Sequence, residues 1–261
     1  MTRAVSAAPS KRGQGRATRS GRAAGPLEAR VRETLALLKR HSSKATRDGM
    51  ARYGLPSDQA LGVPVGTMRR LAGELGRNHE LAVALWNTGW YEARMLAAFI
   101  DDPARVTPAQ MDRWCRQFDN WGICDTVCFH LFDRTPHAWR KVGQWAGRRD
   151  EFIKRGAFAL LASLTAHDKR IDEEPFIHGL LLIERAAGDD RNFVKKAVNW
   201  ALRCIGKRSP TLNTAAVAVA RRLSASPEPA ARWVGKDALR ELTSAAVTKR
   251  LAVRRRVASQ R

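Results

Sequence analysis

One aspartate, two tryptophans and an arginine are the residues of this chain whose types and spacing could do chemistry together. Trp121 and Asp125 stand four residues apart in Asn120-Trp121-Gly122-Ile123-Cys124-Asp125, so on a helix their side chains share one face. Gly122 is a poor helix former, which places Trp121 at or just before the helix start. A carboxylate in that first turn is favoured by the helix dipole. Arg155 and Trp200 lie further along the chain, and they join the first pair only if their helices stack beside it. Such a patch offers negative charge beside indole faces that attract cations, which suits a reacting group that carries or develops positive charge. Each residue taken singly has a plainer reading: a tryptophan at helical spacing packs in a core, and an aspartate near a helix start is a cap.

Other reactive side chains form no comparable group. Cys124 and Cys128 are one helical turn apart in an apolar run with no second ligand pair nearby, so they read as buried small hydrophobes rather than metal ligands. Together with Cys115 and Cys204 they are expected to be reduced thiols. His41, His79, His130, His137 and His178 are scattered, and His167-Asp168-Lys169 reads as a polar loop between helices. No Gly-x-x-x-x-Gly-Lys-Ser/Thr loop is present, which argues against nucleotide hydrolysis.

The elements that must position these residues are helices. Alternating β-branched runs bounded by tight-turn dipeptides are nearly absent. Leu27, Val31, Leu35 and Leu38 form one helical stripe, and Met68, Leu71, Ala72 and Leu75 another. Thr107-Pro108, Thr135-Pro136, Ser209-Pro210 and Ser226-Pro227 mark helix starts, and Asp101-Asp102-Pro103 a loop. The block Glu151-Phe152-Ile153-Lys154-Arg155 resembles Asn192-Phe193-Val194-Lys195-Lys196 at an offset of 41, and Arg232-Trp233-Val234-Gly235-Lys236 follows another 40 along. A period of roughly 40 to 47 residues built from helix pairs is the HEAT or armadillo signature. The expected fold is therefore all-α: a HEAT-like solenoid, a curved right-handed array of antiparallel helix pairs stacked because one pair cannot cover its own apolar face. Lys154, Arg155, Lys195, Lys196 and Lys236 fall at matching repeat positions and are expected on the concave surface.

The formal charge is +22, with six Lys or Arg and no acid in residues 1–26, and six more and no acid in residues 249–261. Residues 27–248 keep a net +10, so the expected folded domain is basic in its own right. That balance points to a polyanion, because each neutralised phosphate releases condensed counterions. Residues 1–26, rich in Ser, Gly, Ala and Arg, are expected to be a disordered basic arm, and 249–261 a similar tail. The apolar stretches are too short to cross a bilayer, and the basic N-terminus is followed by no apolar secretory segment. A cytoplasmic monomer with no membrane partner is expected.

From about Leu35 to Val247 the chain resembles the AlkD-type DNA alkylation repair glycosylases. The resemblance is carried by Met50-Ala51-Arg52-Tyr53, by Gly62-Val63-Pro64 followed by Met68-Arg69, by Trp121 with Asp125, by Arg155 in Phe152-Ile153-Lys154-Arg155, and by Trp200. It implies a solenoid that excises cationic N3- and N7-alkylpurines from double-stranded DNA. By the same likeness Asp125 is the catalytic carboxylate, Trp121 and Trp200 contact the lesion's deoxyribose, Arg155 the neighbouring backbone, and Tyr53 the DNA. It also implies an open groove rather than a base-shaped pocket.

Those residue types suit that reaction. An alkylated purine already bears positive charge and leaves without protonation, so what remains is to stabilise the oxocarbenium character on the sugar and to position water. A neutral damaged base would need leaving-group activation, for which the sequence offers no candidate. No lysine is placed as a Schiff-base nucleophile, so a monofunctional enzyme without metal or organic cofactor is expected. Two other readings remain: a noncatalytic module that binds DNA or branched nucleic acid through the same basic face, and a scaffold for an acidic protein. An aspartate among the tryptophans favours the enzyme, since phosphate binding does not call for a carboxylate.

Overall fold

A computed structural model describes residues 25–258 apart from 56, 57 and 170. The expected arm falls almost wholly outside the described residues, as do 259–261. The described residues form fourteen α-helices and two short 3-10 turns, with no strand among them. In order these are α1 (Pro26–Arg40), α2 (Lys44–Met50), the 3-10 turn Ala51–Tyr53, α3 (Val65–Leu75), α4 (His79–Trp86), α5 (Tyr91–Ile100), α6 (Pro108–Cys115), α7 (Trp121–His130) and the 3-10 turn Phe132–Arg134. There follow α8 (Ala138–Ala146), α9 (Glu151–His167), α10 (Glu174–Ala186), α11 (Asn192–Gly206), α12 (Pro210–Ser224), α13 (Pro229–Leu242) and α14 (Ala245–Ala258). Within the expected basic tail the chain is helical as far as Ala258, and the first helix opens at Pro26. None of these helices is long and apolar enough to cross a membrane.

The helices pack as two rows. Helices α3, α5, α7, α9, α11 and α13 touch in sequence along one row, and α8, α10 and α12 stack behind them. Each helix of the first row is needed to bury its neighbour. α9 is the extreme case, with Ile153, Ala157, Phe158, Leu160, Leu161 and Leu164 all excluded from solvent between α7, α8 and α11. The stacked indoles of Trp86 and Trp114, 3.9 Å apart and nearly parallel, anchor the earlier repeats together with Phe118, Phe132 and Trp145. Cys115, Cys124 and Cys128 are buried free thiols, and no group of three potential metal ligands occurs among the described residues.

Two of the four sequence-marked helix starts lie where expected. The hydroxyls of Thr107 and Ser209 accept from the amides of Gln110 and Leu212 at the heads of α6 and α12. The other two fall early. Thr135 donates its hydroxyl to the Phe132 carbonyl and ends a 3-10 turn, so α8 starts only at Ala138. Ser226 accepts from Glu228 within a turn, and α13 starts at Pro229.

The segment between the first 3-10 turn and α3 is tied down by one carboxylate. Glu92, at the second position of α5 and without solvent exposure, accepts from the amides of Leu61 at 2.9 Å, Gly62 at 2.7 Å and Val63 at 3.2 Å. Gly62 has φ +77, and a Cβ there would overlap the Ser43 carbonyl oxygen, so only glycine fits. The amide of Tyr91 closes the strap by donating to the Gln59 carbonyl at 2.8 Å.

Candidate active site

Trp121 is the first residue of α7, capped by Asn120, whose side chain accepts from the Ile123 amide at 2.9 Å. The indole Nε1 donates to the carbonyl of Tyr53 at 2.7 Å, fixing the ring against the first 3-10 turn. Gly122 is required for this approach. A Cβ there would lie 2.7 Å from Tyr91 Oη and 3.1 Å from Leu55.

Asp125 follows one turn later on the same face. Its carboxylate keeps 20% of its side-chain surface exposed and is gripped by Arg155 of α9 in a two-pronged ion pair, Nε to Oδ1 at 3.0 Å and Nη2 to Oδ2 at 2.7 Å. The third guanidinium nitrogen donates to the Phe193 carbonyl at 2.8 Å, so Arg155 couples α7, α9 and α11. Burial pushes the Asp125 carboxyl above the usual carboxylate range, and the charge and hydrogen bonds of Arg155 oppose that rise. Burial likewise works against the Arg155 cation, but Asp125 outweighs it and holds the guanidinium above its ordinary value.

Trp200 lies two turns into α11, and its ring stacks on Phe129 of α7 at 5.0 Å, nearly parallel. Phe129 in turn meets the edge of the His167 ring. His167 ends α9 and pairs with the buried Asp133, so it belongs to a helix end rather than to the polar loop expected there.

Trp121, Asp125, Arg155 and Trp200 line one cleft of about 710 Å³, together with Tyr53 and Lys196. The condition that the sequence left open, adjacency of the repeats, is met by the packing of α7 on α9 and α9 on α11. Tyr53 is 70% exposed at the cleft's edge. Three residues of the expected basic surface do not line this cleft. Lys154 pairs with Asp189 at 2.8 Å, because one residue before Arg155 is about 100° round the helix. Lys195 lies over the Trp233 ring, and Lys236 is exposed on α13 beyond the cleft.

Arg52, Gly54, Asn192, Phe193 and Arg203 also line the cleft, and the sequence reading did not single them out as site residues. Arg203 could have been found, since it follows Trp200 by three residues and Lys196 by seven, on one helical face. A larger basin of about 790 Å³, lined by Lys169, Lys207, Arg208 and Arg250 among others, has no aromatic side chain and so lacks the pairing of carboxylate and indole.

The comparisons with known proteins bear on this geometry. A family model described as "DNA alkylation repair enzyme" matches residues 34–242. No curated protein matches the chain in sequence. Among solved structures the chain is similar, at 20% identity and a TM-score of 0.68, to one described as "a new family of proteins related to the HEAT-like repeat DNA glycosylases with affinity for branched DNA structures". The likeness covers 79% of this chain and 93% of that one, and it shows the HEAT-like fold. With the family model spanning most of its length, the chain belongs to the DNA alkylation repair enzyme family.

Proposed function

We propose that the protein is a monofunctional DNA glycosylase that hydrolyses the bond between deoxyribose and a cationic N3- or N7-alkylpurine. The observation that carries this reading is the solvent-reaching Asp125 carboxylate in a cleft shared with Trp121 and Trp200. As the base departs with its own positive charge neutralised, the sugar becomes cationic, and a carboxylate beside indole faces stabilises that charge. Arg155 takes one position on each carboxylate oxygen, and a carboxylate offers about four, so Asp125 retains capacity to accept from an attacking water. The cleft runs between residues of α7, α9 and α11, and on the family resemblance it is read as an open groove, which suits lesions of varied size. Lys196 places positive charge along its wall for the phosphates of duplex DNA, while Arg203 is paired with Glu241 at 2.7 Å.

Incubation of the protein with methylated duplex DNA tests this reading. Release of free 7-methylguanine and 3-methyladenine by the wild type, reduced by about 30- to 1000-fold in Asp125→Asn, is the expected result, equivalent to about 2–4 kcal/mol of transition-state stabilisation. Equal release by both proteins overturns the role of Asp125.

A second reading is a noncatalytic module for DNA or branched nucleic acid. It is favoured by the ion pair itself, since Arg155 offsets the charge of Asp125 in the free protein, and by the branched-DNA affinity attributed to the structural relative. Tight binding of damaged or branched DNA with no base release by the wild type would establish it.

A further inference from the structure

We infer that Trp233, with Lys195 and Lys236, forms a stacking platform for an unpaired nucleobase of the bound DNA, one repeat beyond the cleft. The inference rests on the reading that the cleft holds DNA. Phe152, Phe193 and Trp233 occupy matching positions of the repeated sequence block, the first two in the first turns of α9 and α11 and Trp233 one turn into α13. The first two pack on each other at 5.3 Å, and Phe193 lines the cleft. Trp233 is the next rung, yet 42% of its surface is exposed. A core role would bury such a ring, since leaving large apolar area in water is unfavourable.

What covers it is a flexible cation. The Lys195 ammonium sits 5.4 Å from the ring centroid and makes no ion pair or side-chain hydrogen bond among the described residues. Lys236, one turn along α13 from Arg232, and Lys196, at the matching position of α11, are likewise exposed and without an ion pair there. The nearest acid in sequence, Asp237, is already engaged by Asn199 and Arg240. An accessible aromatic face among uncompensated lysines matches the chemistry of single-stranded nucleic acid, in which bases stack on rings and phosphates take the cations. Within an intact duplex each base face is covered by its neighbours, so the ring has a face to meet only where a base is unpaired, as at a gap or a branch. Lys195 is displaced toward a phosphate as the base arrives.

The test compares the full chain on a fluorescently labelled intact duplex and on the same duplex carrying a short single-stranded gap, read by anisotropy. Trp233→Ala is expected to lose about tenfold more affinity for the gapped than for the intact DNA, and Trp233→Phe to keep most of it. Thermal melting of both variants checks that they fold, and the Phe variant keeps the test informative if the Ala variant does not. An equal loss on both DNAs, or none on either, overturns the platform, and the second result is also what a docking site for a protein partner would give. If base release persists while Trp233→Ala spares the gapped DNA, the platform falls and the glycosylase reading stands. If no base is released while the gapped DNA still discriminates, the reverse holds.

Discussion

Asp125 and Arg155 are chemically one unit, and their coupling sets the pH behaviour of the site. Burial raises the Asp125 carboxyl above its ordinary range, and Arg155 is what restrains the rise. Base release through an ionised Asp125 therefore grows with pH through an inflection higher than that of an exposed aspartate, and then levels off. Arg155→Met removes the restraining cation, so the inflection moves further up and the rate at mildly acidic pH falls most. Arg155→Lys keeps the charge but loses the two-pronged geometry, and its inflection lies between those of the other two. Single-turnover release measured across pH separates these outcomes, and an inflection that stays put or moves down in Arg155→Met would break the assignment. The composition of this site was visible in the sequence on one helix only. Trp121 and Asp125 announce a shared face by their spacing, whereas the Arg155 pair needs α7 beside α9, and the stacking of Trp200 on Phe129 needs two helices to meet across a third.

At the scale of elements, the strap between the first 3-10 turn and α3 positions the entrance of the cleft. Its amides converge on Glu92, while Tyr53 at its head holds the Trp121 indole and Leu55 abuts Gly122. Glu92→Gln replaces one accepting oxygen with a donor that faces other donors, leaving at least one buried amide unpaired. The expected cost is about 2–4 kcal/mol in denaturant unfolding, with hydrogen exchange at Leu61, Gly62 and Val63 accelerated beyond that of the core helices. A change under about 0.5 kcal/mol would show that the strap is held by something else. Gly122→Ala acts on the same contact from the other side. Its methyl must displace the Tyr91 hydroxyl, at a cost of about 1–3 kcal/mol in stability and with reduced base release as Trp121 shifts. Gly62-Val63-Pro64 stands out in the sequence, but Glu92 does not, because a cradled carboxylate is defined by unpaired amides thirty residues away. Helix starts were legible for a similar reason. Thr107 and Ser209 have free hydroxyls to cap with, while the hydroxyl of Thr135 is spent on a preceding carbonyl, a choice that spacing does not reveal.

Across the whole molecule, a net charge of +22 makes DNA affinity depend steeply on salt, but the fold decides which cations count. Lys196 and Lys236 recur at one repeat position of α11 and α13 with no ion pair among the described residues, whereas Arg155 at the matching position of α9 is taken by Asp125 and Lys154 by Asp189, and Lys195 lies over Trp233. In sequence all five look equivalent. Physically they differ, since a lysine already neutralised by a largely buried carboxylate has few counterions left to release, while an unpaired one releases its share when a phosphate arrives. Lys196→Ala is therefore expected to weaken binding of damaged and undamaged duplex alike, and to flatten the plot of log affinity against log salt by about 1. Lys154→Ala is expected to leave that slope in place, because Asp189 loses its partner in the free and bound protein equally and is still held by Arg191. Titrations over a range of salt concentrations distinguish the two variants directly. Equal slopes for Lys154→Ala and Lys196→Ala would mean that total charge governs binding, and that the repeat register carries no information about the path of the DNA.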